Sequence, residues 1–131
     1  MNIEPILDVS IKNKKICFLT LNNPKKRNPL SMDLISRLQK EFDTIKKNKD
    51  IKVIIIQSTG PSFCSGHDLK EVKKVSQSHN KLNDIFEKCS RMMLSIIKLP
   101  QPVIASVDGI ASAAGCQLVA SCDLVVASKK S

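Results

Sequence analysis

The stretch Val103-Ile-Ala-Ser-Val-Asp-Gly-Ile-Ala-Ser-Ala-Ala-Gly-Cys-Gln117 decides how this chain is read. Val103 to Val107 is a short apolar run bounded by Pro102 and Asp108-Gly109, which predicts a buried strand followed by a turn. Ser112 to Ser121 is rich in small residues and free of proline, which predicts a helix. A buried strand therefore feeds a helix start that is almost bare of side chains. The first N–H groups of a helix have no partner within it, and together they favour negative charge. A ligand could approach that backbone closely, although tight helix–sheet packing calls for the same small residues.

The same design occurs once more, upstream. Val53-Ile-Ile-Ile56 is continuous and β-branched, the pattern of a strand buried on both faces. It leads into a glycine-containing loop, Thr59 to Gly66, and then into a short helix from Asp68 to Lys74, where Asp68 is placed to cap the first turn. Read alone, each loop is weak evidence for a site. Read together, two helix starts could each supply one backbone N–H to a single oxygen. That is the geometry of an oxyanion hole, in which one donor is worth roughly 2.7–4 kcal/mol of barrier.

The remaining elements frame these two loops. Ile6 to Lys12 and Lys15 to Leu21 read as strands joined by a tight turn at Asn13-Lys14. Asn22 to Asn28 is a polar stretch around a basic cluster. Ser31 suits an N-cap, and Ile35, Leu38, Phe42 and Ile45 recur at helical spacing up to about Lys47. A longer amphipathic helix carries Leu82, Ile85, Phe86, Cys89, Met92, Met93, Ile96 and Ile97, and Pro100 and Pro102 end it. Leu124 to Ala127 reads as a last strand. The order β-β-α-β-α-α-β-α-β predicts an α/β fold with crossover connections.

Composition narrows the function classes. The 131 residues suffice for one domain with one core, and 42% apolar with 25% charged residues is a folded-protein composition. The net charge of +9 raises the question of nucleic acid. The lysines are scattered, however, and the four aromatics are all Phe, so stacking platforms are scarce and no nucleic-acid role is expected. A lysine-rich surface could equally attract the phosphates of an anionic small molecule. No apolar run reaches the ~18 residues of a membrane span, and Met1-Asn2-Ile3-Glu4-Pro5 has neither a secretory nor an Arg-rich transit pattern. The five cysteines, Cys17, Cys64, Cys89, Cys116 and Cys122, are odd in number and contain no CxxC pair. That argues against a disulfide framework or a zinc site and for a reducing compartment, expected to be the cytoplasm.

Three segments resemble the crotonase (enoyl-CoA hydratase/isomerase) family. Phe63-Cys-Ser-Gly-His-Asp-Leu69 is similar to its F-x-x-G-x-D-[LI] segment. Ala105-Ser-Val-Asp-Gly-Ile-Ala111 with Gly115-Cys-Gln-Leu118 and Cys122-Asp-Leu124 is similar to A-x-V-x-G-x-A-x-G-G-G-x-x-L…C-D-[LI]. Leu21-Asn-Asn-Pro-Lys-Lys-Arg-Asn28 is similar to its opening L-N-R-P-x-x-x-N. The resemblance implies a ClpP/crotonase-like spiral of β-β-α units, with residues 1–131 forming the N-terminal part of a single domain that is truncated here. It implies a coenzyme A thioester as substrate, no separate cofactor, no metal, and trimer-based oligomers once the fold is completed. It implies that the thioester oxygen, as an enolate, is held by the backbone N–H groups of His67 and Ala114. His67, Asp68, Leu69, Lys70 and Ala114 would lie along the substrate, and Arg27 with nearby lysines would meet the coenzyme A phosphates.

The resemblance also exposes a departure. Hydratases of the family use two glutamates. Gln117 stands at the first position, and an amide cannot usefully move a proton at neutral pH. The second lies past Ser131. Asp68 reads as a cap, Glu71 as part of an exposed lysine-rich helix face, and Asp123 as a structural residue before a strand. Ordinary hydration by these residues is therefore not expected. The alternatives are a non-catalytic acyl-CoA binding or regulatory subunit, or a remnant of a split or decayed gene. A Clp-type serine protease built on Ser112 with His67 or His79 matches the spacing less well.

Overall fold

The structure is a computed structural model that describes residues 4–131, so Met1 to Ile3 of the N-terminal segment lie outside it. Strands β1 (Leu7–Lys12) and β2 (Ile16–Leu21) form an antiparallel hairpin. Asn13 and Lys14 in its turn have φ of 52° and 60°. Asn tolerates this left-handed region better than most residues. After a 3-10 turn at Pro24–Lys26 comes α1 (Met32–Lys46), whose N-cap Ser31 accepts a hydrogen bond from the Leu34 amide. The chain continues through β3 (Val53–Ser58), β4 (Ser62–Cys64), α2 (Leu69–Lys74), α3 (His79–Lys98), β5 (Val103–Val107), β6 (Ile110–Ala111), α4 (Ala114–Ala120) and β7 (Leu124–Ala127). Each β-strand pair is followed by a helix, which is the β-β-α unit expected from the sequence.

The main sheet has the order β1-β2-β3-β5-β7, and every pair after the hairpin is parallel. Parallel neighbours require crossovers, which here are supplied by α1, by α2 with α3, and by α4. One face of the sheet presents Cys17, Leu19, Ile54, Ile56, Val103 and Ala105 to α1 and α3. Those helices contribute Ile35, Leu38, Phe42, Cys89, Met92 and Ile96 to the same core. The continuous run in β3 suggested burial on both faces, but the strand alternates instead. Ile54 and Ile56 are fully buried, whereas Val53 and Ile55 are only half-buried. Phe18, Ile55, Ile104 and Leu124 lie in register on the opposite face. No helix of the described residues covers that row, and Leu124 is exposed.

Two short strands missing from the sequence reading tie the candidate loops together. β4 and β6 pair in parallel as a separate two-stranded sheet, through Ser62–Ile110 and Cys64–Ala111. The expected loop from Thr59 to Gly66 and the turn after Asp108 are thus one joined structure. α4 begins at Ala114 rather than Ser112, and α3 begins at His79, where Ser78 caps it. Among the described residues no helix is long and apolar enough to cross a membrane.

Candidate functional site

The site is built where the β4 and β6 loops enter α2 and α4. Asp68 is the N-cap of α2, and its side chain accepts from the Lys70 amide at 3.0 Å. Ser65 donates its amide to the Arg27 carbonyl at 3.1 Å, and Leu30 donates to the Gly66 carbonyl at 2.7 Å. The polar loop after β2 is thereby fastened to the β4–α2 loop. The Ser112 amide in turn donates to the Cys64 carbonyl at 3.0 Å. Three segments far apart in sequence therefore converge on Ser65, Gly66 and His67.

Gly66 brings the two loops into contact. Its φ is 91°, and a methyl placed on it would lie 3.1 Å from both the Ala113 Cβ and the Ala114 nitrogen. Gly115 packs against the Cys64 carbonyl, a contact that a side chain would obstruct. Among the described residues, neither the His67 amide nor the Ala114 amide has a hydrogen-bond partner. They are thus two donors free for a ligand, one at the start of each loop-to-helix junction.

A groove of about 550 Å³ runs from this junction. It is lined by apolar groups including Leu69, Val72, Phe86 and Ala113, with Lys26 and Lys70 at its border. Leu69 is 77% exposed and presents its side chain to the groove. The His67 ring packs edge-on against Phe86, with centroids 5.1 Å apart. Its Nδ1 is buried without a partner. Burial lowers the imidazole's affinity for a proton, and Glu71 opposes that shift in part. Arg27 is exposed beside the groove and does not line it; its neighbour Lys26 does.

Gln117 is exposed on the first turn of α4, and its side chain has no hydrogen-bond partner among the described residues. Glu71 differs from expectation. It is half-buried, and its Oε2 accepts from the Met32 amide at 2.9 Å, so it satisfies the start of α1 across the α1–α2 contact. Asp123 accepts from the Val103 amide at 2.7 Å, which makes it a structural clamp on β5. Two residues have roles that the sequence did not assign, although Asn28 closes the L-N-R-P-x-x-x-N resemblance. Asn28, fully buried with φ of 52°, accepts from the Asn23 amide and donates to the Thr59 and Ser62 carbonyls. Ala113 has φ of 52° and ψ of −124°, a backbone state that suits glycine. The family pattern, which has glycine at that position, was the available signal. Among the described residues no cluster of three metal-ligating side chains occurs.

The family model described as enoyl-CoA hydratase/isomerase matches residues 11–131. The chain belongs to the enoyl-CoA hydratase/isomerase family. It is 50% identical over 113 residues to the mitochondrial enoyl-CoA hydratase domain-containing protein 3 of Homo sapiens, covering 86% of this chain and 37% of that protein. It is 38% identical over 117 residues to the mitochondrial methylglutaconyl-CoA hydratase of Homo sapiens, covering 88% of this chain and 34% of that one. The crystal structure of human enoyl-coenzyme A hydratase domain-containing protein 3 superimposes with a TM-score of 0.90 at 46% identity, covering 97% of this chain and 49% of that chain. That of an enoyl-CoA hydratase from Mycobacterium smegmatis superimposes with a TM-score of 0.91 at 42% identity, covering 95% and 48%. The fold is thus the crotonase fold, and the chain spans about half or less of the relatives it matches. These relatives also correct the cytoplasmic expectation. The enoyl-CoA hydratase domain-containing proteins 3 are named as mitochondrial, which points to mitochondria instead. Free cysteines indicate a reducing compartment, and that criterion does not single out the cytoplasm.

Proposed function

We propose that this member of the enoyl-CoA hydratase/isomerase family binds an acyl-CoA thioester and stabilises its enolate oxyanion with the His67 and Ala114 amides. The observation that carries this reading is the pair of unpartnered N–H groups on two loops that Gly66 allows to touch. Fixed dipoles of this kind need no reorganisation when negative charge develops on the oxygen. Asp68, Leu69 and Lys70 follow the first donor along the groove that would receive the acyl part. Lys26, Arg27 and Lys70 supply positive charge for the coenzyme A phosphates. No separate cofactor or metal is required for this chemistry, and His67 contributes its backbone rather than its ring.

Gln117 occupies the place of the family's first acid/base, so ordinary hydration falls outside this proposal. The reading extends to residues 1–131 as the N-terminal part of one crotonase-like domain that oligomerises when completed. Calorimetric titration with acetoacetyl-CoA, whose enolate mimics the reacting species, tests binding. Saturable heat from a cooperatively folded sample is expected. A folded sample that gives no heat at high protein concentration overturns the proposal.

A further inference from the structure

We infer that the Ala113 methyl selects against acyl groups branched at the α-carbon, a specificity that rests on the thioester reading above. Ala113 precedes the proposed donor Ala114, is exposed to solvent, and lines the same groove as His67, Leu69 and Phe86. Its Cβ faces Gly66, since a methyl on that glycine would lie only 3.1 Å away. The space between the two loops at the donors is therefore narrowed by one methyl group on the α4 side and by none on the Gly66 side. An oxygen held by both amides places the thioester carbon beside that methyl, and the α-carbon is the next atom into the groove. An unbranched acyl chain passes Ala113, whereas a 2-methyl group competes with it for the same volume.

The backbone strengthens the case that this methyl is held in place. With φ of 52° and ψ of −124°, Ala113 sits in a region that non-glycine residues rarely adopt. Its carbonyl accepts from the Cys116 and Gln117 amides, and Ser112 is tied to Cys64. The loop cannot rotate the methyl aside without breaking the start of α4.

The test compares acetoacetyl-CoA with 2-methylacetoacetyl-CoA by calorimetric titration of the full chain. The wild type is expected to favour the unbranched ligand. Ala113→Gly is expected to raise relative affinity for the branched ligand by roughly tenfold, the scale of one methyl group in a pocket. Ala113→Ser retains a Cβ and is expected to keep the wild-type preference. Equal ligand ratios in wild type and Ala113→Gly overturn the inference. Failure of the wild type to bind acetoacetyl-CoA overturns the thioester reading itself, so the two failures are distinguishable.

Discussion

Gly66 lies directly against Ala114: a methyl added to the glycine would stand 3.1 Å from the Ala114 nitrogen. Both proposed donors depend on that contact, because the loop of one is packed on the loop of the other. Gly66→Ala forces φ of 91° on a residue with a side chain and pushes the loops apart. It is expected to cost about 1–3 kcal/mol of stability and to abolish acetoacetyl-CoA binding in the population that remains folded. Urea denaturation and titration of the same sample check both effects. Full affinity in the variant would separate binding from this contact.

Asn28 joins the loop after β2 to the β3–β4 connection. Its side chain accepts from the Asn23 amide at 2.6 Å and donates to the Thr59 and Ser62 carbonyls at 2.9 and 3.0 Å. Asn28→Ala leaves three polar backbone groups without this partner in a buried setting, and also puts alanine at a positive φ. A loss of about 2–4 kcal/mol is expected: a fully buried stranded group costs about 1–3 kcal/mol, and these three are part-buried and so cost less each. A urea midpoint unchanged from wild type would count against the clamp.

These two residues show how far the sequence could be read. The strands and helices of the main layer were legible because hydrophobic period and caps report burial directly, as with Ser31 before the Ile35–Leu38–Phe42–Ile45 stripe. The β4–β6 ladder was not, because strands of three and two residues have no period, and their pairing is fixed by contacts far away in sequence. Asn28 was legible as the closing residue of a family motif but not as a buried clamp, since local sequence does not reveal burial of an amide. Ala113 in a glycine-like conformation is imposed by the tertiary junction against its own preference. The apolar run in β3 reads the same whether one face or two are covered.

His67 gives a pH signature. Burial, the larger influence, lowers its imidazole below the ordinary value of 6.5, and Glu71 offsets this in part. Above that value the ring is neutral in both folded and unfolded chains, so the native state carries no penalty. Below it the unfolded chain takes up a proton that the native chain resists. Stability is therefore fully present above about pH 6.5 and falls as pH drops towards the lowered native value. His67→Gln removes this contribution while keeping the backbone N–H. Its urea midpoint is expected to change less than that of the wild type between about pH 7.5 and pH 5.5. Parallel curves would remove His67 from the acid response.

The five thiols should react in two classes. Burial pushes Cys17 and Cys64 up to about 11 and Cys122 up to about 12, and raises Cys89 as well. The thiolate is the reactive form, so these four are expected to react slowly in the native state. Cys116 is exposed on α4. Titration with a chromogenic disulfide is expected to show one fast thiol, absent in Cys116→Ser, and four slow ones, of which the buried Cys17, Cys64 and Cys89 appear only on unfolding. Fast reaction of Cys17, Cys64 or Cys89 would mean that the core opens readily.

Under the proposed thioester reading, Gln117 bears on what chemistry can follow binding. It sits three residues after Ala114 on α4, close to the proposed oxyanion donors and exposed to solvent. Its position therefore suits work on a bound thioester, but its amide does not. A carboxamide neither releases nor takes up a proton near neutral pH, and a positioned acid or base contributes roughly 10²–10⁴-fold to such a step. None of the neighbouring acids replaces it: Asp68 caps α2, Glu71 accepts from the Met32 amide, and Asp123 clamps β5. Hydration of crotonyl-CoA by the wild type is accordingly expected to match that of Gln117→Ala, while both proteins bind acetoacetyl-CoA. Loss of absorbance of the conjugated thioester with time measures the reaction. A wild-type rate clearly above the variant would assign Gln117 a catalytic role that its amide chemistry does not explain.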